Sequence, residues 1–218
     1  TPLYSSAASD VYKRQRTRHF WQFVAAIVLG AGSAVTIFIH IIPLSTNAGL
    51  TRIEAATVAS AFGISTLVVK MIVGPLVDRM RAPSLAAVTM LCPIISCLIF
   101  LCAEDLSLGW AVLAAVLCGV GTGAELDMIG VLAARMFGVA NYGRIYGMSL
   151  TAFQLAIGSG PLLVSISFDS VQSYDPALVV LTLCLCASVL LLATLGHSIY
   201  ERQPGRFARP QSASSPDI

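Results

Sequence analysis

Residues 108–134 read LGWAVLAAVLCGVGTGAELDMIGVLAA. The stretch is apolar from end to end, yet it carries Glu125 and Asp127 in its middle. Its length exceeds the roughly 20 residues that an α-helix needs to cross a bilayer. It lacks the period-2 alternation of a barrel strand, and only a helix satisfies its own backbone groups in hydrocarbon. This segment therefore reads as a membrane-spanning helix with two ionisable groups deep inside it.

Five more runs of the same kind surround it. They cover about Phe20–Leu44, Ile53–Val77, Leu85–Ala103, Ile145–Phe168 and Pro176–Leu195. Short polar connectors separate them: STNAGLTR, DRMRAPS, EDLS, the FGVANYGR region and DSVQSYD. The composition agrees. The 218 residues are 56% hydrophobic and only 11% charged, and the mean hydropathy is +0.82. A soluble domain carries about 25% charged residues. So low a charge content excludes an ordinary soluble domain, a disordered chain and a nucleic-acid binder held by a basic patch. The fold class expected is all-α: a polytopic membrane protein built as a bundle of six transmembrane helices. The domain covers residues 20–195, between a polar leader (1–19) and a polar, disordered tail (196–218) rich in Ser, Pro and Arg.

The leader has a further oddity. The chain starts with Thr, and LYSSAASDVYKRQ at residues 3–15 reads as translated sequencing adapter. On that reading residues 1–15 lie outside the fold and coding sequence upstream is missing.

Lys/Arg bias sets the orientation expected in the membrane. If the first span starts in the cytoplasm, the inside holds Lys13, Arg14, Arg16, Arg18, Arg79, Arg81, Arg135, Arg144, Arg202, Arg206 and Arg209, and the outside only Arg52. Leaving out Lys13 and Arg14 keeps the asymmetry. Both termini are then cytoplasmic, in an inner or plasma membrane. Trp21, Phe20 and Tyr146 fit an aromatic belt at the inner face.

Charges within spans are expensive and mark pathways or ion pairs. There are three: Lys70 in the second span, and Glu125 and Asp127 in the fourth. Lys70 precedes Asp78 by eight residues and Asp127 precedes Arg135 by eight, so each lies ~12 Å from the inner boundary at 1.5 Å per residue. Glu125 comes out ~15 Å deep, near the midplane. The two carboxylates are about 200° apart on the helix and cannot face one partner. One is expected to pair with Lys70, with depth favouring Asp127. The other would face a water-filled cavity and carry a proton. A structural ion-pair network of all three is the competing reading.

Other features are weaker. Asp78, Arg79 and Arg81 form a charged turn that suits a cytoplasmic gate, with Arg135 and Arg144 nearby, or simply a topology marker. Gly119 and Gly123 form a G-x-x-x-G that permits close helix contact. Gly158, Gly160 and Pro161 are a hinge or a packing site, with packing favoured, and Pro93 suggests a kink. His40 and Gln154 are possible substrate-cavity residues, although a lone His near a span end is more often a hydrogen-bonding residue. Cys92, Cys97, Cys102, Cys118, Cys184 and Cys186 all lie in apolar runs and read as small packing residues, not a disulfide framework or metal site. No catalytic set, metal motif or cofactor fingerprint is visible.

Several segments together resemble the C-terminal six-helix half of the major facilitator superfamily, over about His19 to Leu195. They include His40-Ile-Ile-Pro43-Leu44, Lys70-Met-Ile-Val-Gly74-Pro-Leu-Val-Asp78-Arg79, and Gly123-Ala-Glu125-Leu-Asp127 followed by Arg135-Met-Phe137-Gly138. Gly143-Arg-Ile-Tyr146-Gly147, Gly160-Pro161 and Phe168-Asp169 with Ser173-Tyr174 complete the set. The branch most similar is that of monocarboxylate transporters and oxalate:formate antiporters. This chain departs from its pattern at Val69-Lys70 (usually Gly-Arg), Met136 (Tyr) and Gln172 (Gly). The resemblance implies alternating access between two six-helix halves around a central site. It implies a gate at Asp78, Arg79 and Arg81, and a buried charged cluster of Lys70, Glu125 and Asp127. Its partners would be the bilayer, the missing N-terminal half or a second copy, and a small anionic substrate. A half-length dimerising scaffold or regulatory module is the alternative; an intramembrane enzyme is not supported.

Overall fold

A computed structural model describes residues 18–79, 82–102, 106–137 and 142–202. Side chains are described throughout these ranges except at 78, 79, 82, 83, 126, 136, 137 and 196–202. The leader through residue 17, Arg81 and the tail beyond 202 therefore lie outside the described residues.

The described residues form six long helices and one short one: α1 (Arg18–Ile39), α2 (Ile41–Asn47), α3 (Arg52–Arg79), α4 (Ala82–Cys102), α5 (Leu108–Phe137), α6 (Tyr142–Val171) and α7 (Asp175–Arg202). All but α2 are long and apolar enough to cross a membrane. The all-α, six-span reading of the sequence is what the chain adopts. One boundary differs: the first apolar run breaks at His40, and Ile41–Asn47 continue as a separate turn of helix. Helices α4 and α6 run through Pro93 and Pro161 without interruption.

Local chemistry explains the ends. Thr51 and Glu54 form a capping box at the start of α3. The Glu54 amide donates to Thr51 Oγ1 (3.3 Å), and Glu54 Oε2 accepts from the Thr51 amide (2.8 Å). Helix α6 stops at Gln172, whose φ of 56° is left-handed. Its amide donates to Phe168 O at 2.7 Å.

Packing repeats after three spans. Helices α1, α7, α4 and α5 close a ring of neighbours, α3 lies against α5, and α6 lies against α1. Exchanging α1 with α5, α3 with α6, and α4 with α7 reproduces the pattern, so the bundle is an internal repeat of three spans. Two apolar clusters fill the bundle. One includes Phe20, Phe23, Met128, Leu132, Ile145 and Leu192, at the end carrying Arg18, Arg135 and Arg144. The other includes Ile37, Val58, Phe62, Phe100 and Leu185, toward the opposite end.

Small residues bring the helices together. A Cβ on Gly119 would lie 2.8 Å from Phe62 O, and one on Gly123 would lie 2.9 Å from Thr66 O. The G-x-x-x-G face of α5 is thus pressed against the α3 backbone. Gly121, between them, faces α4 at Pro93 and Thr89. Gly32 meets Ala156 and Gly160 meets Thr36 where α1 crosses α6, whereas Gly158 faces open space. All six cysteines are free.

Candidate functional site

The contacts of Gly119 with Phe62–Thr66 and of Gly123 with Thr66–Val69 fix the register of the parallel pair α3 and α5. One turn further along, Asp127 falls at the level of Lys70. Both side chains are exposed. They stand at the same level along adjacent helices, although among the described residues no ion pair joins Lys70 to either carboxylate.

Glu125 behaves differently. It is 6% exposed and points into the ring of α1, α4, α5 and α7. The wheel geometry expected from the sequence, with the two carboxylates on opposite faces, is present, and the one that turns inward is Glu125. Its Oε1 is buried with no hydrogen-bond partner. The space it faces, about 30 Å³, is lined by aliphatic side chains, Met90, Met128, Thr89 and Ser188. Sequence reasoning passed over Thr89 and Ser188. They lie on the third and sixth spans, and nothing local to either marks them until α4 and α7 are known to pack together.

The remaining candidates are spread over the bundle. His40 is buried, at 9% exposure, and its Nε2 lies 3.2 Å from Pro161 O. A carbonyl only accepts, so Nε2 carries the proton, and His40 ties the α1–α2 junction to α6. Its ring also tilts against Tyr174, with centroids 5.9 Å apart. Gln154 and Arg144 are exposed on α6. Arg135 Nη2 donates to Val77 O at 3.0 Å, clamping the last turns of α5 and α3. Asp78 and Arg79 lie in the final turn of α3. Gly160 packs on Thr36, whose Oγ1 donates to Gly32 O at 2.6 Å.

A separate cleft of about 380 Å³ opens between α1, α6 and α7. Its walls are aliphatic with hydroxyls from Ser33, Thr36, Ser159 and Ser167. None of the three charged span residues reaches it.

Exposure is divided unequally. The central windows of α1 and α5 are 56% and 59% buried, those of α3 and α6 only 17% and 22%. The open faces of α3 and α6 carry Thr57, Ser60, Gly63, Lys70, Gly74, Gly147, Thr151, Gln154 and Ser159 among large apolar residues such as Ile64, Leu67, Met71, Leu155 and Leu163. Those of α4 and α7 carry Val88, Leu91, Ile95, Leu98, Val179, Val180, Leu183 and Leu190. The second set is aliphatic; the first mixes small, polar and charged groups with aliphatic ones.

A search of curated proteins finds no match to this chain. The family model of the Major Facilitator Superfamily matches residues 9–215. Six membrane-length helices, an internally repeated packing pattern and this match agree, and the chain belongs to the Major Facilitator Superfamily of membrane transporters.

Proposed function

We propose that this chain is the C-terminal six-helix half of a secondary transporter for small organic anions, with monocarboxylates the leading class and protons the coupling ion. The observation that carries the reading is Lys70: a cation ~12 Å inside the span, exposed on a helix only 17% buried. An ammonium facing acyl chains at that depth is costly, so the α3–α6 face is one that protein or water covers. A second six-helix unit would cover it and leave Lys70 at the seam, where it can meet an anion's charge. Asp127 stands at the same level on the next helix and is the group placed to trade a proton against an anion at Lys70. Asp78, Arg79, Arg81, Arg135 and Arg144 would form the cytoplasmic gate, with both termini inside. His40 would be structural, through its bond to Pro161, and Gln154 would remain a cavity candidate on the open face of α6.

The test is uptake of labelled monocarboxylates and dicarboxylates by proteoliposomes holding the product of the complete gene. Lys70→Ala should abolish anion uptake, Lys70→Arg should retain part of it, and Asp127→Asn should flatten its pH dependence. Full uptake by Lys70→Ala would remove the reading.

A further inference from the structure

Helices α6 and α7 are consecutive and joined by a turn at residues 172–174, yet they scarcely touch each other, and both lean on α1. The gap between them is the cleft of about 380 Å³. Its floor is α1 between Val28 and Thr36, and its walls are α6 between Ala156 and Ser167 and α7 between Pro176 and Cys184. At 1.5 Å per residue it runs ~12 Å along α7, parallel to the helices. Its hydroxyls add little polarity. Thr36 Oγ1 donates to Gly32 O at 2.6 Å and Ser159 Oγ to Leu155 O at 2.8 Å, so each has turned its proton onto its own helix. Ser33 is only 5% exposed. The open surface is aliphatic, with Leu163 and Val180 at 64% and 57% exposure. Val180 carries the groove into the aliphatic face of α7 beside Val179 and Leu183.

A groove of this kind inside a bilayer has a definite occupant. Water finds too few partners on such walls, and a void would cost the lining its dispersion contacts on one side. A narrow aliphatic trough aligned with the helices matches a lipid tail in chemistry and in direction. Its mouth sets the headgroup. Ser167 and Pro176 line the cleft at the end where α6 turns into α7. Asp169 and Asp175, close by in the chain, are both exposed, and no Lys or Arg is among the described residues that line the cleft. Two carboxylates repel an anionic headgroup and attract an ammonium, which can also donate hydrogen bonds to them. We propose that the cleft seats one acyl chain of a phosphatidylethanolamine, a phospholipid without net charge whose ammonium lies at Asp169 and Asp175. The chain fills the gap that α6 and α7 leave between them. None of Lys70, Glu125 and Asp127 lines this cleft, so the site goes beyond the transport reading and stands without it.

The experiment reconstitutes the product of the complete gene in phosphatidylcholine vesicles containing a phosphatidylethanolamine with a photoreactive diazirine on its acyl chain. Labelled peptides are mapped by mass spectrometry after illumination. Labelling of residues 156–167 and 176–184 should saturate at a low mole fraction of probe, while labelling of the α4 face at Val88, Leu91 and Ile95 should rise linearly. Unlabelled phosphatidylethanolamine should displace the probe from the cleft, with phosphatidylglycerol roughly tenfold weaker. Asp169→Asn with Asp175→Asn should erase that preference. Ser159→Phe and Val180→Phe, both at exposed positions, should each fill the cleft and cut its labelling about tenfold. Val179→Phe, next door and outside the cleft, and Lys70→Ala should leave the labelling unchanged. Labelling of the two stretches that rises linearly as on α4, or that survives both Phe variants, overturns the proposal. Equal displacement by phosphatidylglycerol, or a preference that survives the two Asn substitutions, also overturns it. So does the absence of lipid label from the cleft, the result expected if polypeptide covers it.

Discussion

The α3–α5 contact offers the sharpest test of how this bundle is held. A methyl group on Gly119 would approach Phe62 O to 2.8 Å, and one on Gly123 would approach Thr66 O to 2.9 Å and Val69 Cβ to 3.2 Å. Both obstacles include backbone, which cannot rotate aside, so α3 must move away from α5. Overpacking of this kind costs about 1–3 kcal/mol per site, offset by the ~1 kcal/mol that Ala gains over Gly in a helix. The net for Gly119→Ala with Gly123→Ala is about 0–4 kcal/mol of destabilisation. For a chain of this size that corresponds to a fall in Tm of up to about 16 °C, with a midpoint near 6 °C. The built-in control is on α3 itself: Gly63 and Gly74 have no atom within 4 Å of an added Cβ. Alanine there should leave Tm unchanged or raise it. With Cys92, Cys102, Cys184 and Cys186, which are not fully buried, replaced by Ala, unfolding can be followed with a thiol-reactive fluorophore, because Cys97 and Cys118 are fully buried in the native bundle. A double variant more stable than the parent, or an equal loss from Gly63→Ala with Gly74→Ala, would refute the packing argument.

Four further expectations follow from local geometry. Gln172 holds a left-handed φ of 56°, so Gln172→Gly should stabilise by about 1 kcal/mol, read as a higher Tm. Gly160→Ala drives a methyl into Thr36 Oγ1; it should lower Tm, and adding Thr36→Ala should restore most of the loss. His40→Ala removes the bond to Pro161 O and should cost about 1 kcal/mol in thermal unfolding, with His40→Gln recovering part of it. Burial, and then the charge of Asp169, push the Tyr174 phenol above its ordinary range. A proton held more tightly in the folded state means that this contribution is complete below the ordinary phenol value and lost as pH rises through the raised one. Asp169→Asn should shift the phenolate absorbance of Tyr174 to lower pH; an unchanged titration would contradict the charge effect.

The spans were legible because length and apolarity alone decide them. So was the opposition of Glu125 and Asp127, which follows from a two-residue step on a helix. Which of them turns inward was not, because it depends on how the glycines of G-x-G-x-G are shared. Gly119 and Gly123 meet α3, and Gly121 meets α4. Glu125 follows Gly121 by four residues and joins its face; Asp127 follows Gly123 by four and stays beside α3. The order of helices around the bundle was needed to read that assignment. The break at His40 was hidden because Ile41–Leu44 prolong the apolar run. The capping box at Thr51–Glu54 was present in the sequence as T-x-x-E, and it places the start of α3 at Arg52.

The exposed faces carry the argument about what surrounds this bundle. If lipid covered every side, selection for acyl contact would make the open residues alike. They are not: α4 and α7 present mainly Val, Leu and Ile, whereas α3 and α6 intersperse Lys70, Gln154, Thr57, Thr151 and several glycines among exposed Ile64, Leu67, Met71, Leu155 and Leu163. Glycines on an open helix face gain nothing from lipid and lose helix stability, but they admit another backbone at close range. Gly63, Gly74, Gly147 and Gly158 all have open space where a Cβ would stand. The same logic that accounts for Gly119 and Gly123 inside the bundle would give these four to the second unit proposed above. Lys70 on the same side excludes a purely aliphatic neighbour. The second six-helix unit proposed above, on the α3–α6 side with lipid on the α4–α7 side, would satisfy both constraints, and it would leave the Lys70 cation available to an anion rather than stranded in hydrocarbon.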